Sequence, residues 1–314
     1  MLLAVQPVSL ADAALFGETG EGNSLLREQA LSLSGDGQLV VFHSRANDLV
    51  PQDTNKASNS SATLDDVFLF NRSTGRVTLV SINAAGTASG NGSSVNARIS
   101  PDGRFVLFES SASDLVTGVS GNQIYLRDLQ AGQTILVSAS TTGSGGNGTS
   151  QNGSISTDGR YAVFESTAGN LVGNDTNGRT DVFLRDLQAG TTQLISRNLA
   201  GDNGGNGDSF DARLSDNGRF VAFTSRADNL VSNDGTNIED VFVQDLQTGV
   251  TELTSIDSSG VNQSNAHNSL SRGRAVSSDG RYVIFETQAS NLVPQTTASQ
   301  GNNVYLRDRQ LGTT

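Results

Sequence analysis

The sequence predicts an all-β protein, a five-bladed β-propeller of four-stranded antiparallel blades whose last blade is closed by an N-terminal strand. Three observations carry that expectation. An Asp-Gly turn, Asn-Gly in one copy, recurs five times at intervals of about 60 residues, a period typical of propellers and solenoids. Each copy leads into a short apolar run rich in β-branched and aromatic residues. No stretch sustains a helical period.

The turn copies are Gly35-Asp-Gly-Gln38, Pro101-Asp-Gly-Arg104, Thr157-Asp-Gly-Arg160, Asp216-Asn-Gly-Arg219 and Ser278-Asp-Gly-Arg281, each preceded by a serine. Asp-Gly supplies the backbone freedom of a tight hairpin. The runs that follow (Leu39–Phe42, Phe105–Phe108, Tyr161–Phe164, Phe220–Phe223, Tyr282–Phe285) are apolar at every position. They read as strands buried on both faces. Next comes Ser/Thr-x-Ala-x-Asn/Asp-Leu-Val, in which Asp48, Asp114, Asn170, Asn229 or Asn291 suits an Asx-turn. A third strand follows, as in Asp181-Val-Phe-Leu184, then a tight turn such as Leu187-Gln-Ala-Gly190, then a fourth strand. A Gly/Asn/Ser-rich stretch returns to the short strand before the next Asp-Gly turn.

One such unit has a marginal core and leaves sheet faces to be covered, which radial stacking achieves. A single domain spanning 1–314 is expected, with repeats at 30–96, 97–152, 153–211, 212–274 and 275–314. The last repeat reads as stopping before its fourth strand, and Leu2–Ser9 resembles the missing piece. Pro7 is tolerated on an outer edge. The two tight turns lie at one end of each sheet and the two longer loops at the other, which makes the long-loop end the expected interaction face.

The repeat resembles the WD40-like (PD40) repeat of TolB-type propellers in bacterial exported proteins. The residues that carry the resemblance are Ser100-Pro-Asp-Gly-Arg-Phe105 with Phe108-Glu-Ser110, and Ile124-Tyr-Leu-Arg-Asp-Leu129. Asp175-Thr-Asn-Gly-Arg-Thr-Asp-Val-Phe-Leu-Arg-Asp-Leu-Gln-Ala-Gly190 carries it again. The resemblance implies a periplasmic or extracellular protein. It covers binding and scaffolding modules and also propeller domains attached to peptidases, so fold alone does not name a function.

Composition narrows the classes. Against 20 Lys and Arg stand 32 acidic residues, a net charge of −12. That excludes nucleic acid as an expected partner and disfavours anionic membranes. There is no cysteine, hence no disulfide, thiolate chemistry or cysteine-bound zinc. The two histidines, His43 and His267, are too few for a multi-His centre. No run reaches the roughly 18 apolar residues of a membrane helix. Residues 1–13 lack a basic start and are broken by Gln6 and Pro7, so they read as an edge strand rather than a signal peptide.

Few residues suggest chemistry. Repeated arginines (Arg104, Arg160, Arg219, Arg281) are expected to pair with repeated aspartates (Asp128, Asp186, Asp245, Asp308) as structural links. The loop Asp175, Asn177, Asp181 carries oxygen ligands at calcium-like spacing, and Asp234, Asn237, Asp240 form a looser version. Plain Asx-type turns are the competing explanation of both. Glu109, Glu165 and Glu286 share one register position, filled by His43 and Thr224 elsewhere. Carboxylates converging from that position would serve a glycosidase. No certain cofactor is expected, calcium being the one candidate. The expected function is a non-catalytic binding or scaffold propeller for a protein or glycan partner, a monomer or part of a longer chain. The alternative is a carbohydrate-active propeller enzyme with central carboxylates.

Overall fold

The computed structural model describes residues 24–25, 33–55, 64–235, 237–260, 263–270, 275–293 and 301–314. The described residues form strands joined by turns and loops, with no helix. The chain falls into two compact units, Met1–Val137 and Ser138–Thr314.

The first unit holds two antiparallel sheets. One contains β1 (Ser24–Leu25), β2 (Leu39–Ser44), β3 (Asp66–Asn71) and β4 (Arg76–Leu79); the other contains β5 (Ser94–Ile99), β6 (Phe105–Ser110), β7 (Gln123–Asp128) and β8 (Gln133–Leu136). The second unit holds two more four-stranded sheets and one of three strands. These are β9 (Ser150–Ile155), β10 (Tyr161–Ser166), β11 (Asp181–Asp186) and β12 (Thr191–Leu194); β13 (Ser209–Leu214), β14 (Phe220–Ser225), β15 (Asp240–Asp245) and β16 (Val250–Leu253); and β17 (Asn268–Leu270), β18 (Tyr282–Thr287) and β19 (Asn303–Asp308). Strands pair in chain order within every sheet.

The second and third strands of each sheet are the apolar runs read from the sequence. β14 and β15 are buried at every position. Their inner aromatics pair across the strands: Phe42–Phe68, Phe108–Tyr125, Phe164–Phe183, Phe223–Phe242 and Phe285–Tyr305, all stacked with centroids 5.6–5.9 Å apart. The stacks of the fourth and fifth sheets are also packed by the preceding sheet. Phe223 and Phe242 share a cluster with Val163, Val182 and Leu184 of the sheet before. The fourth strands alternate exposed and covered residues, as outer edges do.

The Asp-Gly turns work in two parts. Glycine takes the left-handed conformation, as at Gly218 and Gly280 (φ +71° in both). These two also lie against the aromatic that opens the preceding sheet's second strand, Tyr161 and Phe220, so a Cβ would collide with a ring. Aspartate contributes its side chain instead. Asp158 Oδ1 accepts from Ser156 Oγ (2.6 Å) and Arg160 N (3.0 Å), while Ser156 Oγ accepts from Tyr161 N.

The expected arginine–aspartate links are present at 2.7, 2.8, 2.7 and 2.6 Å for Arg104–Asp128, Arg160–Asp186, Arg219–Asp245 and Arg281–Asp308. Each guanidinium also lies over the ring of the next residue, 4.7–4.9 Å from its centroid. The same aspartates accept turn N–H groups, as Asp186 does from Gln188 and Ala189. With these donors, Asp245 and Asp308 are held down to about 2.

One expectation changes. The Asx-turn reading of the Leu-Val loop gives way to a longer-range tie. The side-chain oxygens of Asp114, Asn170, Asn229 and Asn291 receive the backbone N–H of Asn91, Asn147, Asn206 and Asn265. These donors belong to the Gly/Asn-rich loop before each sheet, so the two long loops are pinned together. The last sheet has three strands among the described residues, and beyond β19 only an isolated bridge forms, as expected. Thr313 bridges Asp308, and Thr314 Oγ1 accepts from Arg307 Nη1 at 3.0 Å, as Thr192 does from Arg185. The proposed closing strand, residues 2–9, lies outside the described residues.

Candidate functional site

The calcium-like loops resolve into pairs of buried carboxylates, one of each pair held by an amide side chain. In the third sheet Asn177 Nδ2 donates to Asp181 Oδ2 (2.7 Å) and to Gly205 O (2.9 Å). Ser196 Oγ donates to Asp181 Oδ1 (2.6 Å), and Asp175 accepts the Asn177 N–H. Asp181 is fully buried, and that burial pushes its carboxyl up to about 7 against the pull of its two donors.

The fourth sheet repeats the pattern with a different bridge. Gln263 Nε2 reaches Asp240 Oδ2 (3.2 Å) and Asp234 Oδ1 (3.4 Å). Asp240 also accepts from Ser255 and Asn268, yet burial, aided by Asp234, raises it to about 7. Asn237 is exposed on the loop and has no part in the bridge. In the first sheet Asn55 Nδ2 spans from Asp66 (2.7 Å) to Gly90 O (2.8 Å). Burial, with Asp53 and Asp65 nearby, lifts Asp66 to about 8.

Calcium takes six to eight oxygens. Here each pair is met by an amide N–H, which a cation would have to displace. Among the described residues no cluster of three or more Asp, Glu or His side chains is arranged as a metal cage.

The shared glutamate position proves to be an inter-sheet tie in the second unit. Glu165 is buried; its Oε1 accepts the Asp211 N–H (2.7 Å) and its Oε2 accepts from Asn152 Nδ2 (2.9 Å). One sheet on, Thr224 Oγ1 accepts the Leu270 N–H (3.3 Å) in the same register. The tie depends on a bulge in the first strand, where Asn96, Asn152 and Asp211 adopt φ of 54–56°. Asn and Asp tolerate that conformation better than other side chains. Burial raises the Glu165 carboxyl, and it lowers the guanidinium of Arg213, which lies near Asp211 and Glu165.

The sequence reading missed the bulge, the bridging role of Gln263 and the buried serine pairs Ser94–Ser110, Ser150–Ser166 and Ser209–Ser225 (2.8–3.0 Å). The serines recur in every one of those repeats, so an aligned repeat would have revealed them.

No family model and no curated protein matches this sequence. Solved structures do. The chain is similar to TolB from Acinetobacter baumannii, at 18% identity and a TM-score of 0.43, over 86% of this chain and 52% of that one. It therefore spans about half of that protein's length. It is similar to a putative TolB from Agrobacterium tumefaciens, at 15% identity and a TM-score of 0.46, over 91% and 78%. It also matches a prolyl endopeptidase structure, at 9% identity and a TM-score of 0.52, over 92% and 35%. At such identities the likeness is one of fold alone.

Proposed function

We propose that this protein is a non-catalytic binding scaffold of the bacterial envelope or exterior that presents its long-loop ends to a protein or glycan. The observation that carries this is the fate of its polar side chains. The positions that could have held catalytic carboxylates, Glu165 and its counterpart Thr224, are spent on repeated ties between neighbouring sheets. The long loops are pinned to each other by the repeated Asn contacts, which gives a stiff surface suited to recognition. Leu199, 65% exposed in one of these loops, is an available apolar anchor.

Affinity capture from bacterial envelope extract, run beside a glycan array, tests the proposal. Wild type is expected to retain a partner that Leu199→Asp loses. Retention of nothing, or cleavage of an arrayed glycan, would overturn it, and cleavage would favour a carbohydrate-active enzyme with Glu165 near its centre.

On the same proposal the five sheets are five blades, and the N-terminal segment completes the last. Gln6-Pro-Val-Ser9 aligns with Gln193-Leu-Ile-Ser196 when Thr313-Thr314 take the places of Thr191-Thr192. Gln6 then faces Leu306, as Gln193 faces Leu184. Pro7 takes the Leu194 place, which the alternation of the ladder leaves without a donated bond, since the next residue, Ile195, donates to Val182 O. In this cysteine-free chain, Gln6→Cys with Leu306→Cys is expected to oxidise to an intramolecular disulfide. No disulfide, or only an intermolecular one, would refute the closure.

A further inference from the structure

Along the outer strands of the second unit, one junction between neighbouring sheets differs from the others. In the third and fifth sheets an arginine near the end of the third strand bonds a threonine seven residues on: Arg185 to Thr192 and Arg307 to Thr314, both 3.0 Å. The residue facing it from the preceding sheet's exit is small or apolar. Thr192 Oγ1 donates to Ala139 O, and Thr314 Oγ1 to Ile256 O.

Between the third and fourth sheets this arrangement is reversed. The third-strand position is Gln244, which bonds Thr251 in the usual way (3.1 Å). The exit position, equivalent to Ala139 and Ile256 by its isolated bridge, is Arg197. A shorter side chain where a guanidinium would lie leaves a cavity of about 350 Å³ there. Arg197, Gln244, Gln193, Asn174, Leu194 and Leu246 are among its walls.

Arg197 is exposed and donates from Nη2 to Gly249 O (3.0 Å), and among the described residues it has no salt bridge. Other described arginines, Arg72 and Arg179 among them, also lack a salt bridge, but Arg197 is the cation in the walls of this cavity. The cavity is at the small end of ligand sites, which run from roughly 300 to 1,000 Å³. Its polar lining is amide and hydroxyl, the groups that bond sugar hydroxyls, and the two leucines offer a surface for the C–H face of a ring.

We propose that this pocket binds an acidic sugar, its carboxylate on Arg197 and its hydroxyls on the amides of Gln193, Asn174 and Gln244. The site lies along the fourth strands and reaches, through Arg197 and Gly201, into the loop that carries Leu199; its test reads uronide binding rather than capture of a loop-face partner, so the two proposals fail separately.

Titration calorimetry with D-glucuronate and a short oligouronide tests it, with D-glucose and N-acetyl-leucine as comparison probes. Wild type is expected to bind the uronides saturably and D-glucose about tenfold more weakly, the worth of one charge-assisted contact. Arg197→Ala is expected to lose about tenfold, again the worth of that contact. The double variant Arg197→Ala/Gln244→Arg recreates the Ala139–Arg185 arrangement, so it should melt like wild type and bind no uronide. Absence of saturable uronide binding by wild type would overturn the proposal, as would undiminished binding by the double variant. N-acetyl-leucine binding as tightly as the uronides would overturn it too, showing a pocket for carboxylates at large.

Discussion

Raising the pH from about 5 to about 8.5 is expected to lower the midpoint of thermal unfolding by on the order of 10 °C. The buried aspartates set the sign. In the folded protein Asp66 stands at about 8, and Asp181 and Asp240 at about 7, because burial disfavours their charge. In the unfolded chain the same groups ionise near 3.8. Between those values the folded state binds more protons, so this contribution is fully present below about pH 4 and is lost progressively as the pH rises through 7 to 8. The groups facing them are mostly acidic. Asp53 and Asp65 lie near Asp66, with Arg45 paired to Asp65; Asp175 and Asp208 lie near Asp181; Asp234 lies near Asp240.

The arginine-paired aspartates act in the opposite sense and only in acid. Their lowered values favour the fold above about pH 4 and cease to do so as the pH falls towards 2. Maximum stability is therefore expected near pH 4–5. Calorimetric scans across pH, with carboxyl NMR shifts to locate the titrating aspartates, check this. A flat midpoint between pH 5 and 8.5 would contradict it. The calcium reading of Asp175, Asn177, Asp181, Asp234, Asn237 and Asp240 has its own test in the same scans. It requires added calcium to raise the midpoint at pH 8.5, where the pairs are ionised, and not at pH 5.

Replacing Phe223 by alanine is expected to cost about 3–5 kcal/mol, the usual penalty for emptying a buried aromatic site. Phe223 is wholly buried, stacks on Phe242 at 5.6 Å, and packs against Val163, Val182 and Leu184 of the preceding sheet. Its loss opens a cavity where two sheets meet and few atoms can move in. Urea unfolding measures the cost, with Leu199→Ala as the exposed comparison, expected to stay within about 0.5 kcal/mol. A loss below 1 kcal/mol for Phe223→Ala would mean that the stacked pair is not what joins the sheets.

The parts of the fold that could be read from sequence are those whose cause lies within one repeat. The Phe-rich runs announce doubly buried strands by composition. Asp-Gly announces a hairpin because only glycine accepts that backbone easily. Arg160 and Asp186 could be paired because both recur at fixed places in an antiparallel meander. What stayed hidden depends on the neighbouring repeat. Gln263, not Asn237, bridges Asp234 and Asp240, because the bridging amide comes from the next loop along the chain. Glu165 looked like a candidate acid until its acceptor role towards Asp211 N was visible. The Arg197–Gln244 exchange carries no local pattern; it emerges only when junctions are compared in three dimensions.

The left-handed residues Asn96, Asn152 and Asp211 also bear on how the protein avoids its own kind. A first strand of regular pleat would offer a row of open amides and carbonyls on which a stranger could add a further strand, the first step towards fibres. A kink in the middle of that row spoils the match, since an incoming straight strand can satisfy one half only by losing the other. At Asp211 the border is closed as well as bent, because its N–H already belongs to Glu165 of the neighbouring sheet.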